Sequence, residues 1–180
     1  MKHLVFAFLL AFAIPTVAQV AEIKWMTIEE AVAAQKKKPK KILIDVYTNW
    51  CGPCKMMMKN TFTNPDVIAY VNEHYYAVKF NAESAEDVLF QGTTYKNANY
   101  NPNATGRNSV HDFARALKVS AYPTIVYLDE ELNMIAPIKG YQTPQQIELY
   151  LKFFATNKYK TVKTQPEWEA YQAGFTPTFK

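Results

Sequence analysis

The sequence predicts an α/β protein with a mixed central sheet flanked by helices on both faces. Three observations predict it. Short apolar runs at 41–48, rich in β-branched residues, at 76–82 and within 122–140 alternate with stretches of helical period. The helical stretches open on residues suited to capping. The last two strands are joined by an Asp-Glu-Glu turn (129–131), so antiparallel pairing joins the parallel pairing that strand–helix–strand units require.

The elements follow in order. MKHLVFAFLLAFAIPTVAQ opens with Lys2, runs apolar from Leu4 to Ile14, breaks at Pro15 and offers the small residues Thr16-Val17-Ala18. That is the pattern of a secretory signal peptide over residues 1–18, shorter than the roughly 20 apolar residues of a membrane span. An uncleaved anchor is the alternative. A cut after Ala18 leaves 162 of the 180 residues, enough for one domain with a sizeable core. An N-terminal helical segment fills 19–39. Thr27 and Glu30 form a capping box for TIEEAVAAQKKK, and Pro39 ends that helix. The main domain is expected over 40–157, opening with the buried strand KILIDVYT.

A helix should start at the cysteines of NWCGPCK. Another starts at Asn64-Pro65, where proline in the first turn loses no hydrogen bond. YAVKFNA (76–82) is the next strand, and SAEDVLFQ reads as a short helix. Residues 92–108, GTTYKNANYNPNATGRN, lack any hydrophobic period and read as a long surface insertion, functional or mobile. Ser109 is placed to cap VHDFARALKV. Thr143, Pro144 and Gln146 open the closing helix TPQQIELYLKFFA. A tail, 158–180, holds one short helix near 166–172.

Charge excludes little and suggests little. The formal net charge is +4, or +3 without Lys2, too mild to argue for nucleic acid. The cluster Lys36-Lys37-Lys38-Pro39-Lys40-Lys41 reads as a solvated helix end, its cations favoured by the negative pole of the helix. No glycine-rich phosphate loop occurs, so no organic cofactor is expected. Met56-Met57-Met58 reads as core packing rather than a copper site.

Cys51 and Cys54 are the only cysteines. As a staple they would close a very short loop and remove little chain entropy. As zinc ligands they would need His74 and His111, which fall in no ligand spacing. As a redox pair they are well placed. Cys51 ends a strand and opens a helix, where backbone N–H groups and the dipole favour a thiolate. Cys54 lies one turn further on, within reach of a mixed disulfide. Gly52-Pro53 holds the turn and leaves Cys51 open to approach.

Trp-Cys-Gly-Pro-Cys-Lys (50–55) is similar to the active-site signature of the thioredoxin-like family. Further positions share the resemblance: Asp45, six residues before Cys51; Lys79 in the next strand; Tyr122-Pro123-Thr124; and Gly140 before Tyr141. The resemblance covers roughly residues 40–155 and implies the thioredoxin fold, a cis Tyr122–Pro123 bond facing the disulfide, and a catalytic set of Cys51, Cys54 and Asp45. It implies a supporting Lys79 and Pro123, and a substrate groove at Trp50, Tyr122 and Pro123. Asp45 would have to be protonated or paired with Lys79, and would relay protons to and from Cys54. Lys59 stands where thioredoxins carry a helix-kinking proline. KNTFTNPDV resembles instead the C-terminal domain of the membrane thiol:disulfide interchange reductase of bacterial periplasms.

Together with the N-terminal signal pattern, the resemblance implies an exported, periplasmic or extracellular, monomeric thiol–disulfide oxidoreductase, and no cofactor or metal is expected. It would reduce disulfide-containing proteins and draw electrons from a membrane thiol reductase. A disulfide isomerase or oxidase on the same fold, and a non-catalytic binding module using 92–108, are the alternatives.

Overall fold

The computed structural model describes residues 22–180, so the signal-peptide expectation for 1–18 lies outside the described residues. Among those described, no helix is long and apolar enough to cross a membrane. The described residues form seven strands and six helices: β1 (Trp25–Met26), α1 (Ile28–Lys37), β2 (Lys41–Tyr47), α2 (Gly52–Asn60), α3 (Pro65–His74), β3 (Tyr75–Asn81), β4 (Val88–Phe90), β5 (Thr93–Tyr95), α4 (Asp112–Ala116), β6 (Thr124–Leu128), β7 (Met134–Lys139), α5 (Pro144–Ala155) and α6 (Gln165–Gly174), with a short 3-10 turn at Lys158–Lys160.

The central sheet runs β1-β3-β2-β6-β7. β3 pairs parallel with both β1 and β2, while β6 runs antiparallel to β2 and to β7. The mixed sheet is thus the one expected, extended by β1, too short to show a period of its own. Side chains alternate across the sheet. Ile42, Ile44, Val46, Val78, Phe80, Val126 and Leu128 pack with Ile28 and Ala31 of α1 and Phe113 and Ala114 of α4. Leu43, Ala77, Ile125 and Tyr127 pack on the other face with Met57 of α2, Val67 and Val71 of α3 and Leu151 and Phe154 of α5. Asp45, two residues from Leu43, shares that second face, the one α2 covers.

Caps fix where the helices begin. Thr27 with Glu30, and Thr143 with Gln146, form complete capping boxes, and the Asn64 side chain accepts from Asp66 and Val67 N–H. Thr164 with Glu167 forms a third box for α6, which runs longer than the 166–172 expected. Stacking seats it: Trp168 lies 5.8 Å from the Tyr150 ring and 4.9 Å from Phe153.

Four expectations are corrected. SAEDVLFQ is not helical: β4 and β5 form a two-stranded antiparallel hairpin, so β5 also begins inside the presumed loop. Val88 and Phe90 are buried while Leu89 between them is exposed, and burial beside Phe113 overrides the helix propensity of Ala85, Glu86, Leu89 and Gln91. The cap of α4 is His111 rather than Ser109; its Nδ1 accepts from Phe113 N–H at 3.0 Å. The lysine run is only partly solvated: Lys41 is buried and binds Glu130 at 2.7 Å and Asn157 at 2.9 Å, while Lys40 Nζ donates to Asn72 O at 2.9 Å. The methionine run is mixed as well: Met57 is core, Met58 half-buried, and Met56 exposed.

Candidate active site

β2 delivers the chain to the rim of the sheet, and α2 starts there because Pro53 suits a first turn and Cys51 caps it. The Cys51 Sγ accepts from Cys54 N–H at 3.1 Å. Cys51 and Cys54 are joined in a disulfide with an S–S distance of 2.06 Å. Cys51 is only 3% exposed, less open than Gly52 suggested, because its sulfur turns into the cap of α2. A Cβ placed at Gly52 would meet nothing within 4 Å, so the approach from that side is free of neighbours.

The peptide bond Tyr122–Pro123 is cis. Tyr122 meets Trp50 edge-on, ring centroids 5.9 Å apart, so this loop and the residue before Cys51 share one wall. Gly140, at φ +92°, donates its N–H to Pro123 O at 2.8 Å and ties the end of β7 to the same loop. Trp50 is half exposed, and its indole N–H is shared by both carboxylate oxygens of Glu83 at 3.0 Å. Sequence reasoning passed over Glu83; nothing in its local context marks it.

Asp45 is 2% exposed, and its Oδ1 has no hydrogen-bond partner. It lies in register with Lys79 on β3 and Ile125 on β6. Burial pushes its carboxyl up from 3.8 to about 7, and the charge of Lys79 only partly offsets that. The ion pair expected as one alternative is absent: no Lys79–Asp45 contact falls within salt-bridge distance, and the Lys79 ammonium sits 4.9 Å over the Tyr47 ring. Of the two expectations for Asp45, a proton-holding acid fits better than a fixed pair. Lys79 and Cys54 line one open cavity of about 540 Å³, together with Thr48, Lys55, Met58 and Lys59. Lys59, the position that departs from thioredoxins, is thus at the site.

The long insertion is ordered by its own asparagines. Asn97 Nδ2 donates to Ser84 O at 3.0 Å and to Ser109 O at 2.9 Å, and Asn108 bridges to the backbone of Asn101 in both directions. This lacing brings Arg107 over Trp50, guanidinium to ring centroid 4.2 Å, a contact that sequence reasoning did not anticipate. Among the described residues, no group of three or more His, Cys, Asp and Glu is spaced to hold a metal ion.

Comparison with known proteins agrees with this geometry. The family model described as "Thioredoxin-like domain" matches residues 28–155. A thiol:disulfide interchange protein, DsbD, of Pectobacterium atrosepticum is 24% identical over 71% of the chain, but the match spans only 19% of that protein. An uncharacterized protein of Haemophilus influenzae is 26% identical over 83% of the chain and 98% of its own length. Among solved structures, a thioredoxin-fold protein from Helicobacter pylori superposes with a TM-score of 0.58 at 18% identity, covering 85% of this chain and 87% of that one. A thioredoxin from Thermus thermophilus gives 0.57 at 14% identity, covering 76% and 89%. With its fold, its cis-proline loop and its closed Cys-x-x-Cys pair, the chain belongs to the thioredoxin-like domain family.

Proposed function

We propose that the protein is an exported thiol–disulfide oxidoreductase that reduces protein disulfides. The observation that carries this reading is the Cys51–Cys54 disulfide formed across the first turn of α2, with Cys51 Sγ accepting from Cys54 N–H. In the reduced protein the same N–H and the positive end of α2 favour Cys51 as thiolate.

Cys51 attacks one sulfur of a substrate disulfide, and the other sulfur leaves as a thiolate that takes up a proton. Cys54 loses its proton and attacks Cys51 Sγ in the mixed disulfide, expelling the second substrate sulfur. The substrate gains two electrons and the protein closes its own disulfide. Asp45 is the group suited to accept the Cys54 proton, since it is buried on the face that α2 covers and exchanges protons near neutrality. Trp50 and Tyr122 wall the groove, and an extended substrate segment pairs with the backbone at Tyr122, beside Pro123.

Export rests on the apolar run from Leu4 to Ile14. In an oxidising compartment a reductant needs an electron source, and a membrane dithiol reductase fits that need. Reduction rather than oxidation rests on Gly52-Pro53 between the cysteines. A reduction potential near about −270 mV supports it, and one near about −120 mV overturns it. Insulin reduction tests the chemistry: Cys51→Ser abolishes it on this reading, whereas equal rates for both proteins make the fold a binding module. Refolding of scrambled ribonuclease without added reductant would assign isomerase activity instead.

A further inference from the structure

The insertion does more than decorate the fold. Its neck is closed by His111 N–H donating to Ala82 O at 2.8 Å, and its interior is laced by Asn97, Asn101 and Asn108. The outcome is one exposed arginine parked on the exposed tryptophan that precedes the reactive cysteine. Arg107 has no carboxylate within ion-pair distance among the described residues. Glu83, the nearby acid, gives both its oxygens to the Trp50 indole. The indole holds the guanidinium in place through its ring face, which leaves the charge and the planar donors free.

The surroundings of the second cysteine carry the same sign. The cavity adjoining Cys54 is lined by Lys55, Lys59 and Lys79 and by no carboxylate. A polypeptide whose disulfide reaches Cys51 therefore runs past the unpaired guanidinium of Arg107 and the lysines near Cys54, while Glu83 stays buried beneath the Trp50 indole edge. Potentials of one sign around a groove select partners of the other sign and repel like charge.

We infer that Arg107, carried by the insertion, is a specificity-determining residue that selects protein disulfides flanked by aspartate or glutamate. The inference rests on the reductase reading and names the substrate class for that site. Guanidinium pairing with a flanking carboxylate strengthens encounter and docking, while a flanking lysine meets repulsion. Single exposed charge pairs of this kind change rates by about two- to fivefold.

The test uses three peptide disulfides that differ only in the residue after the cysteine: glutamate, glutamine or lysine. Rates are measured with the full oxidised-then-reduced protein at low and high salt. The expected order of kcat/KM is glutamate, glutamine, lysine, with about a tenfold span at low salt that shrinks toward unity at about 0.5 M salt. Arg107→Glu should reverse the order, and Arg107→Lys should keep it, because the charge rather than the stack sets it. Lys37→Ala is the control: Lys37 is exposed in the last turn of α1, at the end of β2 opposite the cysteines, and its loss should leave the order unchanged. Equal rates on all three peptides, or an order untouched by Arg107→Glu, overturn the inference while leaving the reductase reading intact. Failure to reduce any of the three, the glutamine peptide included, sinks both.

Discussion

Replacing Asp45 by asparagine keeps its shape and holds the position permanently uncharged. The wild-type carboxyl rises from 3.8 to about 7 on folding because it is buried with one oxygen unpartnered. At about 1.36 kcal/mol per unit, that rise is worth about 4 kcal/mol. Linkage fixes the sign. Between 3.8 and about 7 the folded protein holds the proton that the unfolded chain has released, so wild-type stability falls as pH rises through this window and is flat above it. Asparagine has no proton to lose. Urea unfolding of the oxidised proteins, where no thiol titrates, should find the Asp45→Asn variant more stable by about 4 kcal/mol near pH 8 and within about 0.5 kcal/mol near pH 4. Titrating groups that do not interact with Asp45 cancel in the difference. A gap that does not change with pH, or a variant less stable near pH 8, would show that Asp45 is paired or hydrated in the fold and would remove the physical basis for the proposal that it carries protons.

Other consequences are open to direct measurement. Cys54→Ser should accumulate mixed disulfides through Cys51 with its substrates, visible by mass spectrometry and lost on reduction; absence of any adduct would argue against Cys51 as the attacking thiol. Glu148→Ala should lower stability by about 2–4 kcal/mol and free the tail to proteolysis, because this fully buried carboxylate accepts from Thr178 N–H, Phe179 N–H and the Lys152 ammonium. Burial alone would raise the Glu148 pKa, but those donors hold it below the ordinary 4.5, so its contribution is present above that value and fades as pH falls through the depressed one. Asn97→Ala should leave the sheet intact yet speed hydrogen exchange across 98–108, since it removes three bonds that close the insertion; unchanged exchange would mean that the lacing carries no stability.

Much of this was legible in the residues themselves. Strands β2, β3 and β6 showed as compact β-branched runs, and Thr27, Asn64 and Thr143 marked helix starts through capping chemistry local to each. The Cys-x-x-Cys pair declared its position because a strand must end and a helix begin there. What stayed hidden depends on distant partners. β4 needs Phe113 to bury Val88 and Phe90, and no local pattern carries that. His111 caps α4 through Nδ1, which can accept because Nε2 carries the ring hydrogen and donates it to Glu86 O at 2.9 Å. Arg107 reaches Trp50 from 57 residues away along a segment without period. One signal was present: it is one of only two arginines in the chain, the planar cation best suited to an aromatic face.

The junction between Ala82 and His111 closes a stretch that is anchored again where Val88 and Phe90 pack with Phe113, so only the laced segment from Asn97 to Ser109 is a separable cassette. Its two ends meet where the Asn97 side chain binds Ser109 O and Oγ, so its length and composition can change without shifting any strand register of the central sheet. Grafting that cassette onto a shorter homologous scaffold, joined at the equivalent pair of positions, would transplant preference for a partner while the host's own dithiol went on supplying the electrons.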